Sequence, residues 1–212
     1  MRRLPVDSDD AAPRLAYDPQ VPTLVERALH EVTPYRRRIA VGCAVSAVWA
    51  VWASGPGWST PALVVAALAG VALGVIDGAS HRLPNALTYP ATAVVAVLLA
   101  AAAAGDGSWD AALRALLGAL ALGCGYLLLH LISPSGLGLG DVKLAVLLGL
   151  VGAWYGWSTL WATALLPFVL GGLVATALIV ARRATRKTAI AFGPFMLVGA
   201  ALALTAARLT AP

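Results

Sequence analysis

Charged side chains are scarce in this sequence of 212 residues, because Asp, Glu, Lys and Arg together make up only 12% of it. Hydrophobic residues make up 60%, and the mean hydropathy is +0.82, a composition that excludes an ordinary soluble globular domain. The apolar runs consist of Ala, Leu, Val and Gly without the alternation of a membrane β-barrel, and small residues favour close helix packing in lipid. The sequence therefore predicts an all-α fold, a polytopic bundle of membrane helices.

Cysteine and histidine are also rare, with two cysteines and three histidines. Cys43 and Cys124 stand singly inside apolar runs, which argues against a disulfide framework or a zinc site and favours packing roles. His81 and His130 have no second ligand at helical spacing, so loop or packing roles are favoured over metal binding. We therefore expect neither a metal nor a cofactor.

The formal net charge of +5 does not indicate a nucleic-acid partner. The basic residues fall in predicted loops, and no patch interleaves basic and aromatic side chains. They report membrane orientation instead, because Lys and Arg accumulate on the cytoplasmic side. The expected partner of this surface is the lipid bilayer.

The chain divides into a polar N-terminal tail, residues 1–38, and a membrane-embedded domain, residues 39–212. In the tail, the apolar positions of residues 24–32 fit a short amphipathic helix on the membrane surface. A disordered tail fits them equally well. The arginines at 36–38 directly precede the first apolar run and place the tail in the cytoplasm.

Seven apolar runs are predicted to be transmembrane helices: 39–53, 61–79, 87–104, 111–132, 141–156, 158–181 and 189–208. With this count, only Arg114 and Arg208 among the basic residues lie toward the outside, as the positive-inside bias requires. All seven tryptophans fall on the predicted outer side, where their amphipathic rings favour the interface. The first and fifth runs are the weakest, since about 15 residues give roughly 23 Å against a hydrocarbon core of ~30 Å.

Two aspartates stand at the ends of predicted membrane helices. Asp77 closes the run GVALGVID, and Asp141 follows Gly136, Gly138 and Gly140 and opens another run. The helix count places both carboxylates at the cytoplasmic boundary, at the same depth. An acidic residue is costly in a membrane helix and is by default a functional candidate, so the two aspartates indicate a catalytic pair.

Paired carboxylates can hydrolyse a peptide bond with water alone. Two like charges ~3 Å apart cannot both ionise, so the pair shares a proton. The ionised member takes a proton from the attacking water, and the protonated member donates one to the scissile carbonyl oxygen. The glycines before Asp141 allow backbone conformations closed to other residues and leave room for an extended substrate. Lys143 would set the local potential or reach a lipid phosphate.

Three motifs occur along the chain in a fixed order. Asp77 is followed by Arg82-Leu83-Pro84-Asn85-Ala86-Leu87-Thr88, then comes Gly138-Leu139-Gly140-Asp141-Val142-Lys143-Leu144, and finally Phe192-Gly193-Pro194-Phe195. Over roughly residues 61–205 the chain resembles the type IV prepilin peptidase family of membrane aspartyl proteases, whose motifs are an aspartate with LPNxLT, GxGDxKL and PFGPF. One departure is Ala191, which stands where the family usually has proline.

The resemblance implies that Asp77 and Asp141 are the catalytic pair. It implies a site shaped by residues from all three motifs: Pro84, Asn85, Gly138, Gly140, Lys143, Gly193, Pro194 and Phe195. The implied substrate is a prepilin-like subunit with a short basic leader and an adjoining hydrophobic helix, cut on the cytoplasmic side of the inner (plasma) membrane. For the last motif, a helix kink at Pro194 is an equally good explanation.

Longer bacterial members of that family carry an extra segment with paired cysteines near the N-terminus, associated with N-methylation of the new terminus. This sequence has neither the cysteines nor room for that segment. The resemblance therefore implies a peptidase with doubtful N-methyltransferase activity, similar to members that serve Flp-type pili or archaeal systems.

Three other interpretations of the two aspartates are weaker. In the first, each aspartate only caps or ends a helix at the interface, where Asp141 gains from the helix dipole. A proton-coupled transporter would use membrane carboxylates as a relay, but it favours inverted repeats and acids near the midplane. The signal-peptide-peptidase and presenilin type has a Pro-Ala-Leu segment after its second aspartate, whereas here residues 61–63 precede Asp77.

Overall fold

The computed structural model describes residues 23–134, 136–183 and 191–211, and across these residues the chain is helical with no strand. The described helices are α1 (Leu24–Val32), α2 (Arg36–Ser54), α3 (Thr60–Ser80), α4 (Asn85–Asp106), α5 (Trp109–Ile132), α6 (Leu139–Trp154), α7 (Trp157–Val180) and α8 (Gly193–Thr210). A short 3-10 turn, Thr33–Tyr35, joins α1 to α2. The predicted all-α fold is confirmed.

Helices α2 to α8 lie at the seven predicted positions, with boundaries that differ by a few residues. The largest difference is at α8, which begins at Gly193, whereas the run was predicted to start at residue 189. Five of them, α3, α4, α5, α7 and α8, are long and apolar enough to cross a membrane, so this is a multi-pass membrane protein. The other two, α2 and α6, are the two weakest predicted spans, and the count of seven stays a prediction.

Helix α6 lies at the centre of the bundle, with eleven of its 16 residues buried. Small residues let its backbone approach α5 closely, as is usual between membrane helices. A Cβ at Gly149 would lie 2.6 Å from the carbonyl oxygen of Gly118, and one at Gly118 would clash with Ala153. Because its neighbours surround it, α6 does not need the length of a helix that faces lipid along its whole span.

The helices run alternately up and down, so their ends gather at two opposite ends of the bundle. One, the tryptophan end, holds the C-termini of α2, α4, α6 and α8 and the N-termini of α3, α5 and α7. At this end the Arg114 side chain of α5 donates to the carbonyl oxygens of Ala153 and Trp154 in α6, both at 2.6 Å. The other, the aspartate end, holds the opposite termini, including the last turn of α3 and the first turn of α6.

Residues 24–32 form a helix, α1, as in the first of the two alternatives, and its place on the membrane surface stays a prediction. It begins with a capping box in which Thr23 Oγ1 accepts from the Glu26 N–H and the Glu26 carboxylate accepts from the Thr23 N–H. None of its residues is buried, and it packs beside α4 and α3. The N-terminal segment therefore reaches the aspartate end of the bundle.

Candidate active site

Asp77 lies in the last turn of α3 and is 5% exposed. The helix ends shortly after it because His81 adopts a left-handed conformation, with φ of 53°, and its N–H donates to the Asp77 carbonyl oxygen at 2.8 Å. The Asp77 side chain does not cap its own helix. Its Oδ2 atom accepts a hydrogen bond from the backbone N–H of Gly193, at 3.0 Å.

Two glycines of α3 bring α8 close enough for this hydrogen bond. Leu197 of α8 packs where a Cβ at Gly70 or Gly74 would lie only 2.9 or 2.8 Å from its methyl carbons. At the start of α8 the approach is closer still, since a Cβ at Gly193 would lie 2.6 Å from Asp77 Oδ2. Only glycine fits at residue 193 with the carboxylate in this position.

Asp141 lies in the first turn of α6 and is 7% exposed. Its Oδ2 accepts from the backbone N–H of Gly138, the residue that precedes the helix, at 3.0 Å. The loop before it is fixed by His130, whose Nδ1 lies 2.6 Å from the Leu137 carbonyl oxygen. This contact agrees with the packing role predicted for His130.

The two carboxylates line one cavity of about 440 Å³ at the aspartate end. They come from different helices, Asp77 from the last turn of α3 and Asp141 from the first turn of α6. The remaining lining residues come from α1, from the segment between α3 and α4, and from the start of α6: Glu31, His81, Arg82, Leu83, Pro84, Asn85, Gly138, Leu139, Gly140 and Lys143. The chain therefore places two buried acids and several polar groups around one cavity that is much larger than a single water molecule.

Of the glycines before Asp141, Gly140 is required for space, and none of the three has an unusual backbone conformation. Residues with positive φ in the described chain do not include Gly136, Gly138 or Gly140, so that part of the prediction is wrong. Gly140 lies inside the first turn of α6, where a Cβ would approach the Leu83 Cβ to 2.9 Å. The GxGD segment therefore packs tightly against the LPN segment that follows Asp77.

Lys143 joins the same two segments by its side chain. Its ammonium Nζ donates to Asn85 Oδ1 at 2.7 Å and lies 5.2 Å from the centre of the Tyr89 ring. Asn85 and Tyr89 are one turn apart on α4, so together they hold the ammonium group. This fixed position differs from the free, lipid-directed side chain that the sequence also allowed.

The residues of the last motif act behind Asp77, because none of Gly193, Pro194 and Phe195 lines the cavity. Pro194 occupies the first turn of α8, where a missing N–H costs nothing. A proline there starts the helix and does not kink it, so the predicted kink at Pro194 is wrong. Phe195 packs on α7, where a Cβ at Gly171 would lie 3.6 Å from its ring.

The structure also places at the site three residues that the motifs did not indicate. Glu31 of α1 lines the cavity, Tyr89 holds Lys143, and Tyr126 of α5 packs against Phe192. Only the amphipathic pattern of α1 gave a signal for the first, and nothing in the local sequence marks the other two. Among residues 23–134, 136–183 and 191–211, no three His, Cys, Asp or Glu side chains come together in a way that could hold a metal ion.

Residues 63–180 match the profile of the type IV leader peptidase family, and this stretch contains both aspartates and the cavity between them. The chain belongs to the type IV leader peptidase family. The chain is also similar to curated proteins over most of its own length. No solved structure gives a significant match.

Three relatives give the extent of the similarity, and each is named a prepilin leader peptidase/N-methyltransferase. That of Pseudomonas putida is 35% identical over 173 residues, 78% of this chain and 57% of the relative. That of Stutzerimonas stutzeri is 29% identical over 170 residues, 78% of this chain and 56% of the relative. That of Aeromonas hydrophila is 34% identical over 151 residues, 70% of this chain and 50% of the relative. The chain thus spans about half the length of the curated relatives it matches.

Proposed function

We propose that this protein is a membrane aspartyl endopeptidase that removes the leader peptide of type IV prepilin-like subunits. The observation that carries the proposal is the cavity lined by both Asp77 and Asp141. Membership of the type IV leader peptidase family and the names of the relatives support the substrate class.

In the proposed reaction, the two aspartates share one proton and hold one water molecule between them. The ionised carboxylate takes a proton from the water as its oxygen attacks the scissile carbonyl carbon. The protonated carboxyl donates its proton to the carbonyl oxygen, giving a tetrahedral intermediate. As the intermediate collapses and its C–N bond breaks, the carboxylate that gave up its proton takes one from a hydroxyl of the intermediate, which becomes the carboxyl group of the product. The amine leaves with a proton from the acid formed in the first step, so the pair returns to its starting state. The N–H groups of Gly193 and Gly138 hold one oxygen of each carboxylate, which leaves the other oxygens for this chemistry.

We place the cavity on the cytoplasmic side of the inner membrane. The aspartate end carries the described basic residues at the start of α2, after α3 and after α7: Arg36, Arg37, Arg38, Arg82, Arg182 and Arg183. The tryptophan end carries Arg114 and Arg208, and Arg186 and Lys187 lie outside the described residues. This asymmetry favours a cytoplasmic aspartate end under the positive-inside rule.

Thiol labelling tests this orientation. In a background without Cys43 and Cys124, a cysteine replacing exposed Gly57 at the tryptophan end should react in intact cells with a membrane-impermeant reagent. A cysteine replacing exposed Arg82 at the aspartate end should react only after lysis. The reverse pattern would place the active site outside the cell.

Co-expression with a candidate prepilin tests the activity itself. The wild type should shorten the subunit, with N-terminal sequencing locating the cut, whereas Asp77→Asn and Asp141→Asn should each abolish cleavage because an amide cannot cycle a proton. The double variant should be no worse than either single one, since residues that act as a unit are non-additive. Asp106→Asn and Asp110→Asn at the tryptophan end are the controls and should cleave normally. Retained turnover in either dyad variant, with intact insertion, would contradict the aspartyl mechanism.

The same product tests for methylation. We expect mass spectrometry to show an unmodified new N-terminus, because Cys43 and Cys124 lie singly in α2 and α5 and do not form a pair like the one that the resemblance associates with N-methylation. A gain of one methyl group in cells that contain no other enzyme of this family would contradict that expectation.

A further inference from the structure

Three aromatic side chains from three different parts of the chain meet behind Asp77. Tyr126 of α5 lies 5.6 Å, centroid to centroid, from Phe168 of α7 and 6.4 Å from Phe192, which directly precedes α8. The rings of Phe168 and Phe192 are 5.1 Å apart. All three pairs are tilted, within the range of distances that aromatic rings prefer. We call these three residues the aromatic cluster.

Tyr126 is the most firmly held member of the cluster. It is 3% exposed, and its hydroxyl donates to the Ala164 carbonyl oxygen of α7 at 3.3 Å. The hydroxyl thus ties α5 to α7 while the ring supports Phe192. Tyr126 does not line the cavity, so it lies outside the space between the two aspartates.

The cluster reaches Asp77 through a single peptide group. The nitrogen that donates to Asp77 Oδ2 belongs to Gly193, and that nitrogen is bonded to the carbonyl carbon of Phe192. Fixing the Phe192 ring therefore restricts the direction of this N–H. The carbonyl oxygen of Phe192 accepts from the N–H groups of Phe195 and Met196 and so begins α8. The Phe192 ring connects this helix start to α5 and α7.

We propose that Tyr126 is a positioning residue for Asp77, acting through Phe192 and the N–H of Gly193. This inference rests on the proposed function, because it is the cleavage rate that Tyr126 would control. Misplacing a reacting group by about 1 Å costs on the order of a hundredfold in rate, so a ring that holds the donor of Asp77 matters although it touches no substrate.

Steady-state cleavage of a purified prepilin by the full chain in nanodiscs tests the proposal. Tyr126→Phe keeps the ring and loses the bond to Ala164, so kcat should fall about fivefold, the effect of one hydrogen bond. Tyr126→Leu and Phe168→Leu lose ring contacts, and each should lower kcat by about tenfold. KM should stay unchanged in all three, since no cluster residue lines the cavity. Tyr155→Phe is the matched control, because its hydroxyl pairs with Ser59 Oγ at 3.5 Å in the tryptophan end, and kcat should not change.

A double-mutant cycle separates positioning from general destabilisation. Gly193→Ala displaces the Asp77 carboxylate directly, so adding Tyr126→Leu should lower kcat no further. Each variant is assayed well below its unfolding temperature, measured in the same nanodiscs. Independent, multiplying losses in the double variant would overturn the proposal, and so would a Tyr126→Leu protein that unfolds earlier but keeps its kcat.

These outcomes are distinct from failure of the proposed function. If the wild type cleaves and Asp77→Asn does not, the peptidase assignment stands whatever Tyr126 does. If Asp77→Asn cleaves normally, the peptidase mechanism fails and the role of Tyr126 falls with it.

Discussion

Hydrogen bonds between a side chain and the backbone serve different purposes at the two ends of the bundle. At the tryptophan end, the Arg114 side chain donates to backbone carbonyls that end α6, which fastens one helix to another. At the aspartate end, the backbone donates to side chains, from Gly193 to Asp77 and from Gly138 to Asp141. The first arrangement satisfies a helix terminus. The second fixes two acids beside a cavity, and its bond from Gly138 to Asp141 also caps the start of α6. The comparison predicts that changes at the aspartate end alter the rate and changes at the tryptophan end alter the stability.

The largest effect should follow Gly193→Ala, because the added Cβ would lie 2.6 Å from Asp77 Oδ2 and must push it aside. We expect cleavage to fall by about a hundredfold, the usual cost of such a misplacement. The matched control is Gly57→Ala at the tryptophan end, where a Cβ meets nothing within 4 Å. The measurement is kcat for both variants, and equal rates would remove the distinction between the ends.

A smaller effect should follow Lys143→Met, which keeps the length of the side chain but loses the hydrogen bond to Asn85 and the contact with Tyr89. The first turn of α6 then loses this link to α4, while Gly140 still packs on Leu83 in the segment before α4. We expect kcat/KM to fall about tenfold, as for one charged hydrogen bond. Lys143→Arg should restore part of the rate, because it also donates to an amide oxygen. A fully active Lys143→Met enzyme would show that this bridge has no part in positioning Asp141.

The smallest effect on rate is expected for Arg114→Met. Its two bonds to carbonyl oxygens are lost far from the cavity, so kcat at low temperature should be unchanged. The free energy of unfolding should fall by on the order of 2 kcal/mol, since hydrogen bonds from a charged group are among the stronger ones. Thermal unfolding in nanodiscs measures this, with Arg208→Met as a comparison at the same end. A loss of kcat without a loss of stability would contradict the division between the two ends.

The fold was predictable because apolar runs and the helix breakers between them are local features. Predicted and observed helices agree to within a few residues, and the two weakest predicted spans, α2 and α6, are those that fall outside the five long apolar helices. Their weakness has different causes. Helix α2 begins with three arginines, and α6 is short and enclosed by other helices.

The catalytic role of the two aspartates stays a prediction, but their meeting at one cavity was predictable, because each stands in a motif at a helix end. The groups that hold them were not, because they depend on how distant helices approach. The FGPF motif marked Gly193 as important, yet only the structure shows that its N–H meets Asp77. Tyr126 sits in an ordinary apolar helix, and its neighbours come from α7 and from the start of α8, so no local pattern could identify it.

The hydrogen bond between Gly193 and Asp77 also has a consequence for biogenesis. The two residues are 116 positions apart, so Asp77 enters the membrane well before the ribosome has made Gly193. Until α8 docks on the glycines of α3, the carboxylate lacks the donor that orients it. The complete site therefore forms only after α8 has been inserted into the membrane and has packed against α3.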